Sequence, residues 1–228
     1  MDEEYKGKQN QSNMNIGKVS PIVLNKNSAY LAGVIVGDGC IYSGTKSKTN
    51  LGKDYKITIE VIDLDFLKKV ESLTKEIIKT KSTIVKRKKL RANQKQLYYF
   101  QFRNKSFYYF LTKDLEIPSG KKSGIVSIPQ KILSNKNLQM SFISGLFDTD
   151  GGKRGKTIGF TSKSQKLIQE VSSILKQRHI GHFLESWKHK AYSSNYYGLK
   201  ISRKDSDKFL KGLQLQSASK RQLLQGSR

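Results

Sequence analysis

The chain has 228 residues, room for one large domain or two of about 100, and its 36% hydrophobic and 10% aromatic content excludes wholesale disorder. Forty-three Lys and Arg against 18 Asp and Glu give a formal charge of +25, which points to a polyanion, nucleic acid before an anionic membrane surface. No membrane-length apolar run, signal core, lipidation signal or basic amphipathic helix stands out, so no membrane partner is expected. The single Cys40 excludes an internal disulfide and fits an intracellular, reducing compartment such as a microbial cytoplasm or an organelle matrix.

Residues 1–27 read as a polar arm with a tethered stretch near Ile22–Leu24. Ser28 is placed to cap a helix beginning at Ala29. That helix carries Leu31-Ala-Gly-Val-Ile-Val-Gly-Asp38-Gly39, although Val34-Ile35-Val36 alone would also suit a buried strand. Lys56-Ile-Thr-Ile-Glu-Val-Ile62 alternates like a strand, and Phe66, Leu67, Val70, Leu73 and Ile77 keep helical spacing. Tyr98-Tyr-Phe-Gln-Phe102 is a second strand, ahead of a helix ending at Phe110-Leu111. The aromatic cluster from Tyr98 to Phe110 is read mainly as core, not as a stacking platform.

A Pro- and Gly-containing break runs from Ile117 to Pro129, and the pattern then begins again. Met140 to Gly151 includes Ile143-Ser-Gly-Leu-Phe-Asp-Thr-Asp150-Gly151. Lys156-Thr-Ile-Gly-Phe-Thr-Ser162 precedes Leu167, Ile168, Val171, Ile174 and Leu175, where Leu167, Val171 and Ile174 take the places of Phe66, Val70 and Leu73. Tyr197-Gly-Leu-Lys-Ile201 precedes Phe209-Leu210, and a polar tail starts at Ser217. The expected organisation is an arm (1–27), a first half (28–116), a linker (117–137), a second half (138–216) and a tail (217–228). Each half reads αββαββα, so the fold class is α+β with internal duplication.

The duplicated motif is where the chemistry lies. On helices, Gly33 and Gly37, with Gly145 in the second copy, form a bare stripe that lets two backbones approach closely. Gly39 and Gly151 are expected in the left-handed conformation that ends a helix. Asp38 and Asp150 then fall in the last turns of two packed helices. A carboxylate there opposes the helix dipole by roughly 0.3–1 kcal/mol, and two facing carboxylates repel each other. Divalent cations, Mg²⁺ or Mn²⁺, remove both penalties and favour carboxylate and carbonyl oxygens, here those of Asp38, Asp150, Gly37 and Thr149. His179, His182, His189 and Cys40 lack zinc spacing, and no Gly-rich phosphate loop precedes a helix.

This pattern resembles the LAGLIDADG homing endonucleases in their single-chain, two-motif form. Copy one matches at Leu31, Ala32, Gly33, Ile35, Asp38 and Gly39, and copy two at Gly145, Leu146, Asp148, Asp150 and Gly151. The resemblance covers about residues 28–213. It implies an antiparallel β-sheet saddle lying in the DNA major groove, with the helices on the opposite face, and hydrolysis of both strands by a monomer. Asp38 and Asp150 take the place of the family's metal ligands, and Lys153 is the best match to its basic second shell. Val61 and Ser162 stand near where the family often keeps Gln or Lys, and Val61 departs from that pattern. Val36 replaces an often acidic residue, while Asp148 is expected to support its helix end.

On the strands, alternation sends Ile57, Ile59 and Val61 inward and Lys56, Thr58 and Glu60 to the groove. Further DNA contacts are expected from Lys46, Lys48 and Lys53 in the first-half loop, from Lys86, Arg87, Lys88, Lys89, Arg91 and Lys95, and from Arg154, Lys156, Lys188, Lys190, Lys200 and Arg203. The expected function is therefore a site-specific, metal-dependent double-strand DNA endonuclease. The alternative is an RNA maturase acting on intron RNA, or a non-cleaving DNA-binding protein on the same frame. An intein nuclease is disfavoured, for want of a Cys or Ser opening and a His-Asn terminus.

Overall fold

The computed structural model describes residues 22–45, 52–89, 91–189 and 194–222. Lys46, Lys48 and Lys190 lie outside the described residues. The first half runs α1 (Lys26–Asp38), β1 (Gly39–Thr45), β2 (Lys53–Val61), α2 (Leu64–Ile78), β3 (Thr83–Lys86), β4 (Tyr98–Arg103) and α3 (Lys105–Tyr109), which continues into one π-helical stretch, Phe110–Asp114. A short α4 (Gln130–Leu133) then precedes the second half: α5 (Lys136–Asp150), β5 (Gly151–Arg154), β6 (Thr157–Ser162), α6 (Gln165–Gln177), β7 (His182–His189), β8 (Ser194–Ile201) and α7 (Ser206–Lys211). A last turn, α8 (Ala218–Arg221), follows.

Each half folds into one four-stranded antiparallel sheet, in the orders β1-β2-β4-β3 and β5-β6-β8-β7. Ile57 sits opposite Ile41 and Phe102, and Phe160 opposite Gly151 and Leu199, so the same layer of each sheet is apolar. Onto that layer α2 packs Phe66, Leu67 and Val70, and α6 packs Leu167, Ile168, Val171, Ile174 and Leu175. Burying each such side chain contributes about 1.5–3 kcal/mol. The repeat extends to the caps. Asp63 accepts from the Phe66 N–H and Ser164 from the Leu167 N–H, at 3.0 and 3.2 Å.

Helices α1 and α5 are of another kind. Ser28 to Val36 of α1 are all buried, as are most residues of α5 from Leu138 to Asp148. A helix buried all round needs no amphipathic stripe, which is why Val34-Ile35-Val36 is helical despite its β-branched residues. The helix starts earlier than the sequence suggests. Asn25, not Ser28, is the N-cap, and Ser28 closes a reciprocal capping box by accepting from the Asn25 N–H at 2.8 Å.

The expected left-handed glycines are also corrected. Gly39 (φ −87°) and Gly151 (φ −76°) are extended and lead straight into β1 and β5. Their bareness is needed for space. A Cβ on Gly39 would come 2.6 Å from the Ile35 Cα, and one on Gly151 2.3 Å from the Phe147 ring.

Candidate active site

The contacts between α1 and α5 advance together along both chains. Gly33 meets the main chain of Phe142 and Leu146, Gly145 meets Tyr30 and Val34, and Gly37 meets Thr149 and Asp150. The helices are therefore parallel, and their carbonyl ends emerge side by side. Asp38 is the last residue of one and Asp150 the last of the other. A Cβ at Gly37 would stand 3.3 Å from Asp150 Oδ2, so the second carboxylate lies over the last turn of the first helix.

The electrostatics follow from that placement. Asp150 is half-buried, and burial first, then the charge of Asp38, pushes its carboxyl up to about 7. Asp38 is exposed at the end of α1, in the mouth between the two helix ends, yet surrounding protein displaces part of its hydration and raises its carboxyl as well. Three cations oppose these shifts at Asp150: Lys122, Lys220 and Arg154, in that order. The Lys122 ammonium donates to the carbonyls of Val36 (2.5 Å) and Gly37 (3.2 Å), while that of Lys220 donates to the Gly151 carbonyl. Each lysine thus occupies orphan carbonyls at one helix end. Burial holds both ammonium groups below their usual range; Asp150 and Asp38 pull Lys122 the other way, and Asp148, Asp150 and Asp38 pull Lys220.

Lys122 and Lys220 were not legible as site residues. Lys122 comes from the linker between the halves, and Lys220 from the tail. The signal that could have found them is positional: each follows the closing helix of its half by a similar short stretch. Lys153 stands exposed on β5 opposite Ile158. Thr149 turns its hydroxyl back onto the Gly145 and Leu146 carbonyls, at 3.2 and 3.0 Å. Val61 is buried, and the Ser162 hydroxyl accepts from the Ser164 N–H at 3.1 Å.

Asp148, two residues before Asp150, is 4% exposed and does not open on the mouth. It accepts from the Tyr30 hydroxyl at 2.6 Å and from the N–H groups of Gln216 and Ser217 at 2.7 and 3.2 Å. Burial and this carboxylate keep the Tyr30 phenol well above its usual range, so it remains a donor.

The donor set fits a hard divalent ion. Burial and the Asp38 charge disfavour ionisation of Asp150 even with Lys122, Lys220 and Arg154 beside it, and ions such as Mg²⁺ are usually held by one or two carboxylates with waters and substrate phosphate completing the shell. Among the described residues no third His, Cys, Asp or Glu joins the pair.

The sheets carry the expected alternation. Ile57, Ile59 and Val61 are buried, while Lys56, Thr58 and Glu60 lie on the other face. On that face Cys40, Tyr42, Lys56, Thr58, Glu60, Lys86, Arg87, Lys88, Tyr99 and Gln101 line one open concavity. Arg87 in that concavity and Arg103 on the same sheet face are held by carboxylates. Arg87 pairs with Glu60 at 2.9 Å, and Arg103 with Asp54 through Nε at 2.7 Å. In the second half Lys200 pairs with Glu185 at 2.6 Å, and Trp187 stacks on Tyr196. Lys53, at the start of β2, pairs across with Thr45, and Lys188 of β7 with Asn195. Arg154 and Lys156 flank the β5–β6 turn, and Arg203 follows β8. Lys89, Arg91 and Lys95 are exposed beyond β3.

Two parallel helices, each ending in an aspartate between two αββαββα halves, define a duplicated α+β protein with one composite acidic site. A family profile described as a LAGLIDADG-like domain matches residues 137–214. Over 193 residues the chain is 29% identical to the homing endonuclease I-DmoI of Desulfurococcus mucosus, covering 80% of this chain and 84% of that protein. The structure of I-DmoI in complex with DNA and Ca superposes with a TM-score of 0.63 at 26% identity, covering 82% of this chain and 88% of that one. The homing endonuclease I-WcaI bound to its DNA recognition sequence shares the fold at a TM-score of 0.56 and 17% identity, covering 84% and 82%. By these comparisons the chain is similar to the LAGLIDADG homing endonucleases, by profile over its second half and by sequence and fold over most of its length.

Proposed function

We propose that this protein is a site-specific DNA endonuclease of the homing type, hydrolysing one phosphodiester bond in each strand of a duplex at the end of the α1–α5 pair. The observation that carries the reading is the mouth itself. Asp38 and Asp150 converge from two pseudo-equivalent helices, with Lys122 and Lys220 at the carbonyls beside them.

In this reading, Asp38 and Asp150 would hold Mg²⁺ or Mn²⁺ with the Thr149 carbonyl and the lone pair of the Gly37 carbonyl that Lys122 leaves free. When bound, such ions supply the Lewis acidity that makes water a nucleophile and stabilises a leaving oxygen. The chain's own residues do the rest. Lys122 and Lys220 present ammonium charge to the scissile phosphates, and charge-assisted donors of that kind are worth about twice a neutral hydrogen bond. The outer sheet faces, rich in Lys and Arg, align the backbone by phosphate contacts and read base edges through side chains such as Lys56, Thr58 and Arg87. The duplication supplies within one chain what a second subunit would bring, so the working form is a monomer. Retention of both carboxylates weighs against a role limited to binding DNA or intron RNA.

The deciding experiment uses a randomised duplex library with Mg²⁺, from which cleaved sites are recovered, followed by Asp38→Asn and Asp150→Asn on the best site. Each variant is expected to bind that duplex and fail to cut it. Cutting at the wild-type rate by either variant would remove that carboxylate from the mechanism.

A further inference from the structure

The C-terminal segment is strapped across both halves by side chains, although the sequence marks it only as a polar tail. Ser144 of α5 accepts from the Gln214 N–H at 2.9 Å. Beyond Leu215, Asp148 takes two consecutive N–H groups, those of Gln216 on Oδ2 and Ser217 on Oδ1. From the first half, the Lys69 ammonium donates to the Gln216 carbonyl at 2.9 Å, and Asp63 accepts from the Ser217 hydroxyl at 3.0 Å. Ser217, 1% exposed, then caps the turn α8. One residue of that turn is Lys220, whose ammonium ends on the Gly151 carbonyl beside Asp150.

The two lysines of the mouth are delivered differently. At the place of Asp148 the first motif has Val36, which offers only its main-chain carbonyl to Lys122. The linker that carries Lys122 is tied instead through the main chain, with the Gly120 N–H donating to the Ile41 carbonyl at 2.7 Å. Asp148, buried, accepts from a phenol and two consecutive peptide N–H groups, which takes three of a carboxylate's roughly four acceptor sites. That capacity goes into fixing where the chain lies.

We propose that Asp148 is a positioning residue for the cleavage reaction: it clamps residues 216–217 onto α5 and so fixes Lys220, and only Lys220, at the Asp150 side of the mouth. This rests on the nuclease reading of the mouth. Loss of the clamp should slow cutting of one strand, leaving the Lys122 side and the DNA-binding sheets unaffected. Substituting residues that orient others in such sites costs about 10–100-fold in activity.

The test compares wild type, Asp148→Asn, Lys220→Met and the double variant on a duplex recovered by cleavage selection. Single-turnover cutting is measured in Mg²⁺ and duplex binding in Ca²⁺. Asp148→Asn is expected to cut about 10–100-fold more slowly, to accumulate a nick in the same strand as Lys220→Met, and to bind the duplex as wild type does. The double variant should be no slower than Lys220→Met alone, because the clamp has nothing left to position. Hydrogen exchange should quicken at Gln216 and Ser217 and stay unchanged in α1 and the sheets.

Multiplicative losses in the double variant, or slow exchange retained at residues 216–217, would overturn the proposal. A slow Lys220→Met beside a wild-type Asp148→Asn would overturn the clamp and leave the nuclease reading intact. Wild-type cutting by Lys220→Met would overturn the lysine's role and the clamp with it. Should Asp148→Asn unfold, Ser217→Pro removes one of the clamped N–H groups from the other end, together with the hydroxyl that caps α8 and bonds Asp63, at a φ of −69° that proline matches. It should give the same strand-biased nick, and its absence would count against the clamp.

Discussion

A Cβ on Gly33 would stand 2.1 Å from the Phe142 carbonyl oxygen, and one on Gly145 would stand 2.1 Å from the Tyr30 carbonyl oxygen. Both obstacles are main chain of the facing helix, so no rotamer change relieves them. Gly33→Ala or Gly145→Ala must push α1 and α5 apart, a form of overpacking that costs about 1–3 kcal/mol or more. Gly124→Ala, with nothing within 4 Å and no positive φ, is the control and should stay within about 0.5 kcal/mol. Urea midpoints measure the stability. Cutting should fall further than stability alone predicts, because Asp38 and Asp150 ride on the helices being separated.

The carboxyl of Asp150, pushed up to about 7 from an ordinary 3.8, binds its proton more tightly folded than unfolded. Stability therefore falls as pH rises from about 4 to about 7 and then levels. Asp150→Asn cannot ionise, so in chelator it should be more stable than wild type at pH 8, by on the order of 1–2 kcal/mol given the partial exposure of the carboxylate. The advantage should shrink toward pH 4. Parallel pH profiles for the two proteins would show that Asp150 carries no such strain.

The same crowding predicts a divalent-ion effect on folding in the absence of DNA. An ion that binds only the folded protein stabilises it by about 2.7 kcal/mol at a hundred times its dissociation constant. Thermal melts with Mg²⁺ against chelator should show a rise in Tm for wild type that is lost when Asp38 and Asp150 are both Asn. An equal rise in the doubly substituted protein would place the ion elsewhere.

The sequence carries the fold where patterns are local and repeated. Phe66 and Leu167 mark the same helix in each half, down to the caps Asp63 and Ser164, and Asp38 and Asp150 announce themselves by duplication. What escaped it depends on long-range contact. Gly39 and Gly151 are bare because Ile35 and Phe147 crowd them, which a turn rule does not reveal. Asn25 outcompetes Ser28 as the cap because Ser28 can answer it reciprocally. Lys122 and Lys220 were hidden among 43 basic residues. Only the strap held by Asp148, and the linker tied to Ile41, bring them to the mouth.

The outer face of the first sheet distinguishes cations that should read sequence from cations that should only attract DNA. Arg103, on the same face as Lys56, is held by two donor contacts to Asp54, an aspartate only 8% exposed, and Arg87 is held by Glu60. A guanidinium fixed by a carboxylate has lost much of its rotamer freedom and still presents N–H groups outward, the condition for bidentate contact with guanine O6 and N7. Among the described residues Lys86 and Lys88 have no such anchor in the same concavity, and an unpinned ammonium suits phosphate. Arg103→Ala and Arg87→Ala should thus each relax preference at one guanine position by about 1–3 kcal/mol. Lys86→Ala and Lys88→Ala should weaken all duplexes alike and lower the salt slope of binding by about 1. Site selection repeated with each variant, together with binding titrations across salt, separates the two classes. An arginine variant with an unaltered base preference and a lowered salt slope would reassign that residue to the backbone.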